Sequence, residues 1–506
     1  MNLSNQADHP LKNSLYSTIG YIFPIVFFIL ITPILVARLG LENYGVYILI
    51  NTVLLFAALF DFGISSAFIK YISEAQAQKD EGKINRLSAT ANLIFFLVGL
   101  LGLAIAIAAG FLLSSTSNAA DPDYFRLCFA LAGISFIFVS LSTPFQLIPR
   151  ACLKFNIEAI ISIIQISAFN LGVLLLVWNN YGLKEILIWQ IAVNILLWLV
   201  YGLTAKSLLG AISLTPGWDQ TAGQKLWRFG FKTFISNVAS MITNQLDRLV
   251  IPIFLGASAL PYYALPGNIT TQTGGITNAL TSLLFPLSSK LQTETKNEQI
   301  AKIYLRAFRL IAVLASAITL AIIIFRVKIL YFWLGGDFYA RSAGLMLLLA
   351  AVDFILALGK PAVSVLLGLG KNKFLAVISS LSALLNLLLL LALIPLWGLT
   401  GAAIAFIIAV LPTLIPIWFL ETRVLKIAHF WRRQASLIVR ITLVSLLFWP
   451  MAQFLLLPMT QNILAVVIIG PLSVLIFLLI YRLLGFFEKE DTNSIKDFLR
   501  SYGQKL

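Results

Sequence analysis

The sequence predicts an all-α polytopic membrane protein of about 14 transmembrane helices. The expected arrangement is two pseudo-symmetric six-helix lobes followed by two further helices. Three observations carry this. Of 506 residues, 59% are hydrophobic and only 11% charged, and mean hydropathy is +0.93. A soluble surface needs roughly 25% charged residues, so composition excludes a cytosolic enzyme, a disordered chain and a nucleic-acid reader. Second, the apolar residues fall into stretches of bilayer-spanning length separated by short polar connections. Third, one sequence register recurs at a fixed offset.

Apolar stretches can be placed at roughly 15–37, 46–69, 89–113, 124–148, 158–178, 185–205, 230–254, 263–287, 307–325, 342–367, 374–394, 399–420, 437–456 and 463–484. The first is too long for the core of a signal peptide and reads as a retained span. The divisions that follow are a lobe over 1–205, a cytoplasmic linker over 206–229, a second lobe over 230–420, two additional helices over 421–484 and a cytoplasmic tail over 485–506.

The formal net charge of +15 does not gather into one patch for a polyanion, and no nucleic-acid partner is expected. Basic residues concentrate in alternate connections, at 70–86, 206–232, 290–309, 423–440 and 482–505. Because basic loops stay cytoplasmic, both termini are expected there. Cys128 and Cys152 lie on one expected helix about 36 Å apart along its axis, beyond disulfide reach. No connection is long enough for a soluble catalytic domain. Gly368-Leu369-Gly370-Lys371-Asn372 lacks the upstream glycine and the Ser/Thr of a phosphate-binding loop. The histidines, His9 and His429, occupy polar ends, so neither a metal site nor a cofactor is expected, and the chain does not read as an enzyme.

Leu39-Gly40 followed by Gly45-x-Tyr47 returns 216 residues later as Leu255-Gly256 followed by Pro261-x-Tyr263. At the same offset, Asn170-Leu171 with Tyr181-Gly182-Leu183 returns as Asn386-Leu387 with Trp397-Gly398-Leu399. A shift of six spans preserves orientation, which implies two parallel repeats around a central cavity that opens alternately to each face.

An ionised side chain in mid-membrane costs about 2.5–3.5 kcal/mol and needs a partner or a wet cavity. Five residues face that demand: Asp61 in span two, Asp247 and Arg248 in span seven, and Asp353 and Lys360 in span ten. Asp353 and Lys360 are nearly two helical turns apart and share a face. Two readings stand side by side. In one, Asp61 or Asp353 neutralises Arg248 or Lys360 in a structural salt bridge. In the other, Arg248 and Lys360 meet a substrate anion while Asp61, Asp247 or Asp353 titrates with a coupling ion. Lys360 also precedes Pro361 and can snorkel toward the surface. Span seven further carries Asn237, Thr243, Asn244 and Gln245, more amides than helix association requires and suited to sugar hydroxyls or a head group. Pro24, Pro33, Pro144, Pro266 and Pro412 are expected bend points.

Leu39-Gly40-x-x-x-Tyr44-Gly45-x-Tyr47 leading into Asp61-x-Gly63, then Leu246-Asp247-Arg248-Leu249 leading into Leu255-Gly256 and Tyr262-Tyr263, resembles the polysaccharide transporter and O-antigen flippase branch of the multidrug/oligosaccharidyl-lipid/polysaccharide exporter superfamily. The resemblance extends through Phe285-Pro286 and Gly398-Leu399-x-Gly401-Ala402-Ala403. It implies a V-shaped fold of two six-helix lobes in the bacterial cytoplasmic membrane. It also implies alternating-access transfer of undecaprenyl-diphosphate-linked oligosaccharide units, with membrane lipids and the polymerase and glycosyltransferases of the same pathway as partners. Carried over, diphosphate binding falls on Arg248 with Lys360, and proton coupling on Asp61 or Asp247. The alternative is an ion-coupled multidrug or organic-cation exporter of the same superfamily. A membrane-embedded polymerase or glycosyltransferase would want a larger outer loop than any here.

Overall fold

A computed structural model describes residues 10–116, 121–210, 212–281, 284–293 and 297–487, and among these all regular structure is helical. The helices are α1 (Pro10–Ala58), α2 (Ile64–Ala77), α3 (Glu81–Thr116), α4 (Pro122–Ala151), α5 (Phe155–Trp178), α6 (Leu183–Leu209), α7 (Gln220–Leu255), α8 (Leu260–Thr270), α9 (Gln272–Thr281) and α10 (Leu284–Thr293), followed by α11 (Asn297–Leu334), α12 (Gly336–Gly368), α13 (Asn372–Val410), α14 (Ile415–Phe419), α15 (Phe430–Met451), α16 (Leu457–Met459) and α17 (Ile463–Leu483). Ten helical runs among the described residues are long and apolar enough to cross a membrane.

Two of those runs, Phe23–Asp61 and Asn372–Val424, hold 39 and 53 residues, well beyond the ~20 that one crossing needs. Each contains a glycine outside helical geometry: Gly40 at φ 76°, ψ 165° and Gly398 at φ 57°, ψ −135°. These are the positions where the sequence expected one span to end and another to begin. Gly256, which follows α7, adopts φ 80°, ψ 162°, nearly the conformation of Gly40. The recurring Leu-Gly pair thus makes the same backbone turn twice, at values that glycine reaches without a Cβ penalty.

Other expectations shift. Helix α1 runs through Pro24 and Pro33, and α4 through Pro144, without a break. Pro412 does interrupt its helix, in a 3₁₀ stretch over Leu411–Leu414. The expected span at 46–69 is instead broken by a 3₁₀ turn at Leu59–Asp61 and by left-handed Phe62 (φ 50°) and Gly63 (φ 73°). The linker expected at 206–229 is shorter, because Asp219 caps α7 early: its carboxylate accepts the Ala222 amide at 2.8 Å. The single span expected at 263–287 is divided, with α8 ending at Thr270 and α9 beginning at Gln272. Most of the expected tail lies outside the described residues.

The chain divides into two compact units, residues 1–241 with 248–261, and 242–247 with 262–506. The first is built on a core of Phe68, Ile72, Phe95, Phe145, Ile148 and Leu226, contributed by α2, α3, α4 and α7. Helix α1 comes so close to the turn after α7 that a Cβ at Gly45 would lie 1.9 Å from the Ala257 carbonyl oxygen. The second unit has one core around Tyr304, Phe308, Leu366 and Leu420, and another in which α15 and α17 pack on α11 through Phe325, Phe448 and Phe477. Large apolar side chains such as Leu112, Trp178, Leu446 and Phe454 stand exposed on the outside, as expected where the solvent is hydrocarbon.

Candidate functional site

Within the second unit, polar groups that lipid would reject lie on residues 242–247 of α7 and on α8, α9 and α12. On α12, Asp353 is buried, and Lys360 aims at the broken segment α8–α9. Its Nζ donates to the Gly274 carbonyl at 2.7 Å and to Thr277 Oγ1 at 3.3 Å. A Cβ at position 274 would sit 3.0 Å from that nitrogen, so the ammonium packs closely against the α9 backbone. The Thr270 hydroxyl lies within hydrogen-bonding reach of Asp353, and Asp353 and Lys360 attract one another. The ammonium is therefore satisfied chiefly by a backbone carbonyl and a hydroxyl.

The strip facing α12 is a ladder of buried threonines, Thr270, Thr273, Thr277 and Thr281. Ser364 Oγ continues it by donating to the Thr281 carbonyl at 3.0 Å. The sequence analysis did not single out these threonines, although the four-residue spacing of Thr273, Thr277 and Thr281 places those three on one face of α9. Their polarity offers hydroxyls along a helix interior without the desolvation cost of ions.

On α7, Thr243 and Asp247 are buried, and Asn244, Gln245 and Arg248 are half-buried. Asn386 Nδ2 donates to the Thr243 carbonyl at 3.0 Å, tying α13 to α7 in the second unit. Arg248 belongs to the first unit, within electrostatic reach of buried Tyr44, which is itself hydrogen-bonded to Thr32. The side chain of Asn237 lies outside the described residues.

Asp61 does a local job. Its Oδ1 accepts the Gly63 amide at 2.7 Å and its Oδ2 accepts Ser65 Oγ at 2.8 Å, closing the turn that launches α2. Both oxygens are engaged within four residues of the chain. Asn194 behaves as interhelical glue, donating to Ser135 Oγ at 2.8 Å.

Residues 35–342 match the model of a family described as polysaccharide biosynthesis protein. A putative O-antigen transporter from Shigella flexneri is 22% identical over 420 residues, which is 82% of this chain and 99% of that protein. Among solved structures, the chain is similar to the lipid II flippase MurJ in an inward closed conformation, with a TM-score of 0.69 at 17% identity over 94% of this chain and 99% of that one. It is also similar to an inward-facing multidrug resistance MATE family transporter, with a TM-score of 0.66 at 13% identity over 81% of this chain and 99% of the other.

Proposed function

The chain belongs to the polysaccharide biosynthesis protein family, in the O-antigen flippase branch of the multidrug/oligosaccharidyl-lipid/polysaccharide exporters, and from that premise we propose that it carries undecaprenyl-diphosphate-linked oligosaccharide units across the bacterial cytoplasmic membrane by alternating access. The observation that carries this reading is the neighbouring pair Asp247 and Arg248, held buried and half-buried in α7 within the family-matched stretch. A diphosphate with several sugars cannot cross hydrocarbon without replacing the water it loses. Charges in the bundle, each costing about 2.5–3.5 kcal/mol on insertion, make sense as that replacement.

In this reading the planar guanidinium of Arg248 takes the diphosphate through paired charge-assisted hydrogen bonds. Asn244, Gln245 and Asn237 hydrogen-bond the sugars. Asp247 and Asp353 carry the coupling ion, with Asp61 as the third candidate. Lys360 adds positive potential from its seat on Gly274. Dividing the two long runs at Gly40 and Gly398 and adding α7 and residues 260–293 to the ten candidate spans gives fourteen crossings, which returns both termini to the cytoplasmic side. The polymerase and glycosyltransferases of the same pathway are the expected partners.

The test is reconstitution. Vesicles loaded with a lipid-linked oligosaccharide on the inner leaflet should expose it to an external sugar-processing enzyme only when the protein is present. Arg248→Ala should insert normally and lose transfer, whereas an unchanged transfer rate would remove the anion role.

One observation favours a second reading, an exporter of organic cations: Asp353 is buried while the nearby ammonium of Lys360 is taken up by a carbonyl, leaving acid available to a cationic cargo. Thermal stabilisation by lipid-linked sugars supports the first reading and stabilisation by cationic dyes the second.

A further inference from the structure

On the outside of the first unit, α1 and α5 leave between them a groove of about 380 Å³ lined by Pro33, Ile34, Ala37, Arg38, Leu174 and Trp178. Arg38 is the charged residue among them. Its Nη1 donates to Asn180 Oδ1 at 3.1 Å, a neutral acceptor just beyond the end of α5. No carboxylate lies within ion-pair distance of Arg38 among the described residues. Asn180 therefore steadies the guanidinium without neutralising it, and the exposed remainder of the fork is open to an acceptor from outside the chain. Beside it Trp178 is 79% exposed, a placement that suits the head-group layer, where an indole meets both apolar and polar surroundings.

The apolar stripe leading away from Arg38 lies on the same helix faces that line the groove. On α1, exposed Leu30 precedes Ile34 by four residues, and exposed Val26 precedes Leu30 by four. On α5, exposed Leu171 precedes Leu174 by three residues and Trp178 by seven. Twelve residues separate Val26 from Arg38, about 18 Å of helix. One leaflet offers about 15 Å of hydrocarbon, half of the core, so the stripe is as long as an acyl chain is deep.

The geometry points to a seat for one anionic membrane phospholipid, its phosphodiester on Arg38 and an acyl chain along the groove between α1 and α5, independent of whether the chain flips its proposed cargo. A planar guanidinium gives a phosphate paired, charge-assisted hydrogen bonds. Charge matching selects the source. One guanidinium balances a single phosphodiester, whereas a diphosphate brings further charge that no other cation of the groove meets, and a head-group ammonium finds no carboxylate among the lining residues. The end of α5 would repel an anion through its last carbonyls. Those of Leu175, Leu176 and Val177 already accept the amides of Asn179, Tyr181 and Asn180, which softens that repulsion. Because Arg38 precedes a connection that the charge rule assigns to the outer face, the seat belongs to the outer leaflet.

Native mass spectrometry of the full chain, released from nanodiscs of phosphatidylcholine doped with phosphatidylglycerol, tests this. Wild type should retain phosphatidylglycerol over phosphatidylcholine. Arg38→Gln should weaken that preference by about tenfold, the low end for a hydrogen bond to a charged group. Ala37→Trp fills the groove without touching the charge and should also weaken phosphatidylglycerol retention, while Arg341→Gln, an exposed cation of the second unit, should not. Ala37 and Arg38 are both exposed, and should Ala37→Trp fail to fold, Arg38→Gln against Arg341→Gln decides. Equal retention of both phospholipids by wild type, an unchanged preference in Arg38→Gln, or an equal loss in Arg341→Gln overturns the seat. Full retention by a folded Ala37→Trp overturns the groove. Retention of added undecaprenyl diphosphate that depends on Arg38 overturns the choice of phospholipid.

Discussion

Lys360 shows how far one side chain's role depends on what stands opposite it. A lysine in an apolar run reads as a free cation seeking an anion, yet here it is the donor for a carbonyl and a hydroxyl on a broken helix. Removing it takes away one charged donor but leaves the Gly274 carbonyl paired with Thr277 Oγ1 at 3.0 Å, so the loss is that of one hydrogen bond, about 1 kcal/mol. Lys360→Ala should therefore lower the thermal stability of the detergent-solubilised protein, and a variant as stable as wild type would show that the Gly274 contact contributes little. Asp61 invites a sharper dissection. Asparagine keeps an oxygen for the Gly63 amide but cannot titrate, whereas alanine loses the turn as well, costing about 1 kcal/mol by analogy with helix caps. If Asp61 couples ion movement, Asp61→Asn should slow transfer at unchanged stability. Normal transfer by Asp61→Asn together with destabilisation in Asp61→Ala would assign the residue to structure alone.

At the scale of helices, glycine placement decides where the bundle bends and how tightly it closes. Gly40 and Gly256 adopt nearly the same extended positive-φ backbone, so alanine at either position should cost about 1–3 kcal/mol of local strain. Gly45 is conformationally ordinary but sterically extreme: alanine there would drive its methyl into the Ala257 carbonyl. Gly45→Ala should destabilise more than Gly40→Ala in a thermal melt followed by size-exclusion chromatography. The reverse order would mean that the close approach of α1 to the turn after α7 relaxes easily. These breaks were legible as span boundaries because Leu-Gly pairs recur in the sequence. The splitting of span eight and the threonine ladder beside α12 were not, since threonine is neither charged nor a helix breaker and signals nothing until a neighbouring helix faces it.

For the molecule as a whole, the distribution of basic residues predicts orientation. A cysteine introduced at Gly217, in the connection before α7, should react with a membrane-impermeant thiol reagent only from the cytoplasmic side, while one at Gly335, between α11 and α12, should react only from outside. Native Cys128 and Cys152 are buried and should give little background. Labelling of both new cysteines from one side would contradict the alternating topology. What the sequence determined by itself is the solvent, the helical class, the family and the turns at Leu-Gly pairs. Each of these follows from quantities summed or ordered along the chain: apolar fraction, run length, charge placement and recurring spacing. Only the tertiary structure decided that Asp61 closes a turn, that Lys360 is satisfied by Gly274, and that Arg38 of α1 and Trp178 of α5 line one groove. The energy of a buried polar group depends on which partner lies within about 3 Å, and partners drawn from helices far apart in sequence leave no imprint on local composition.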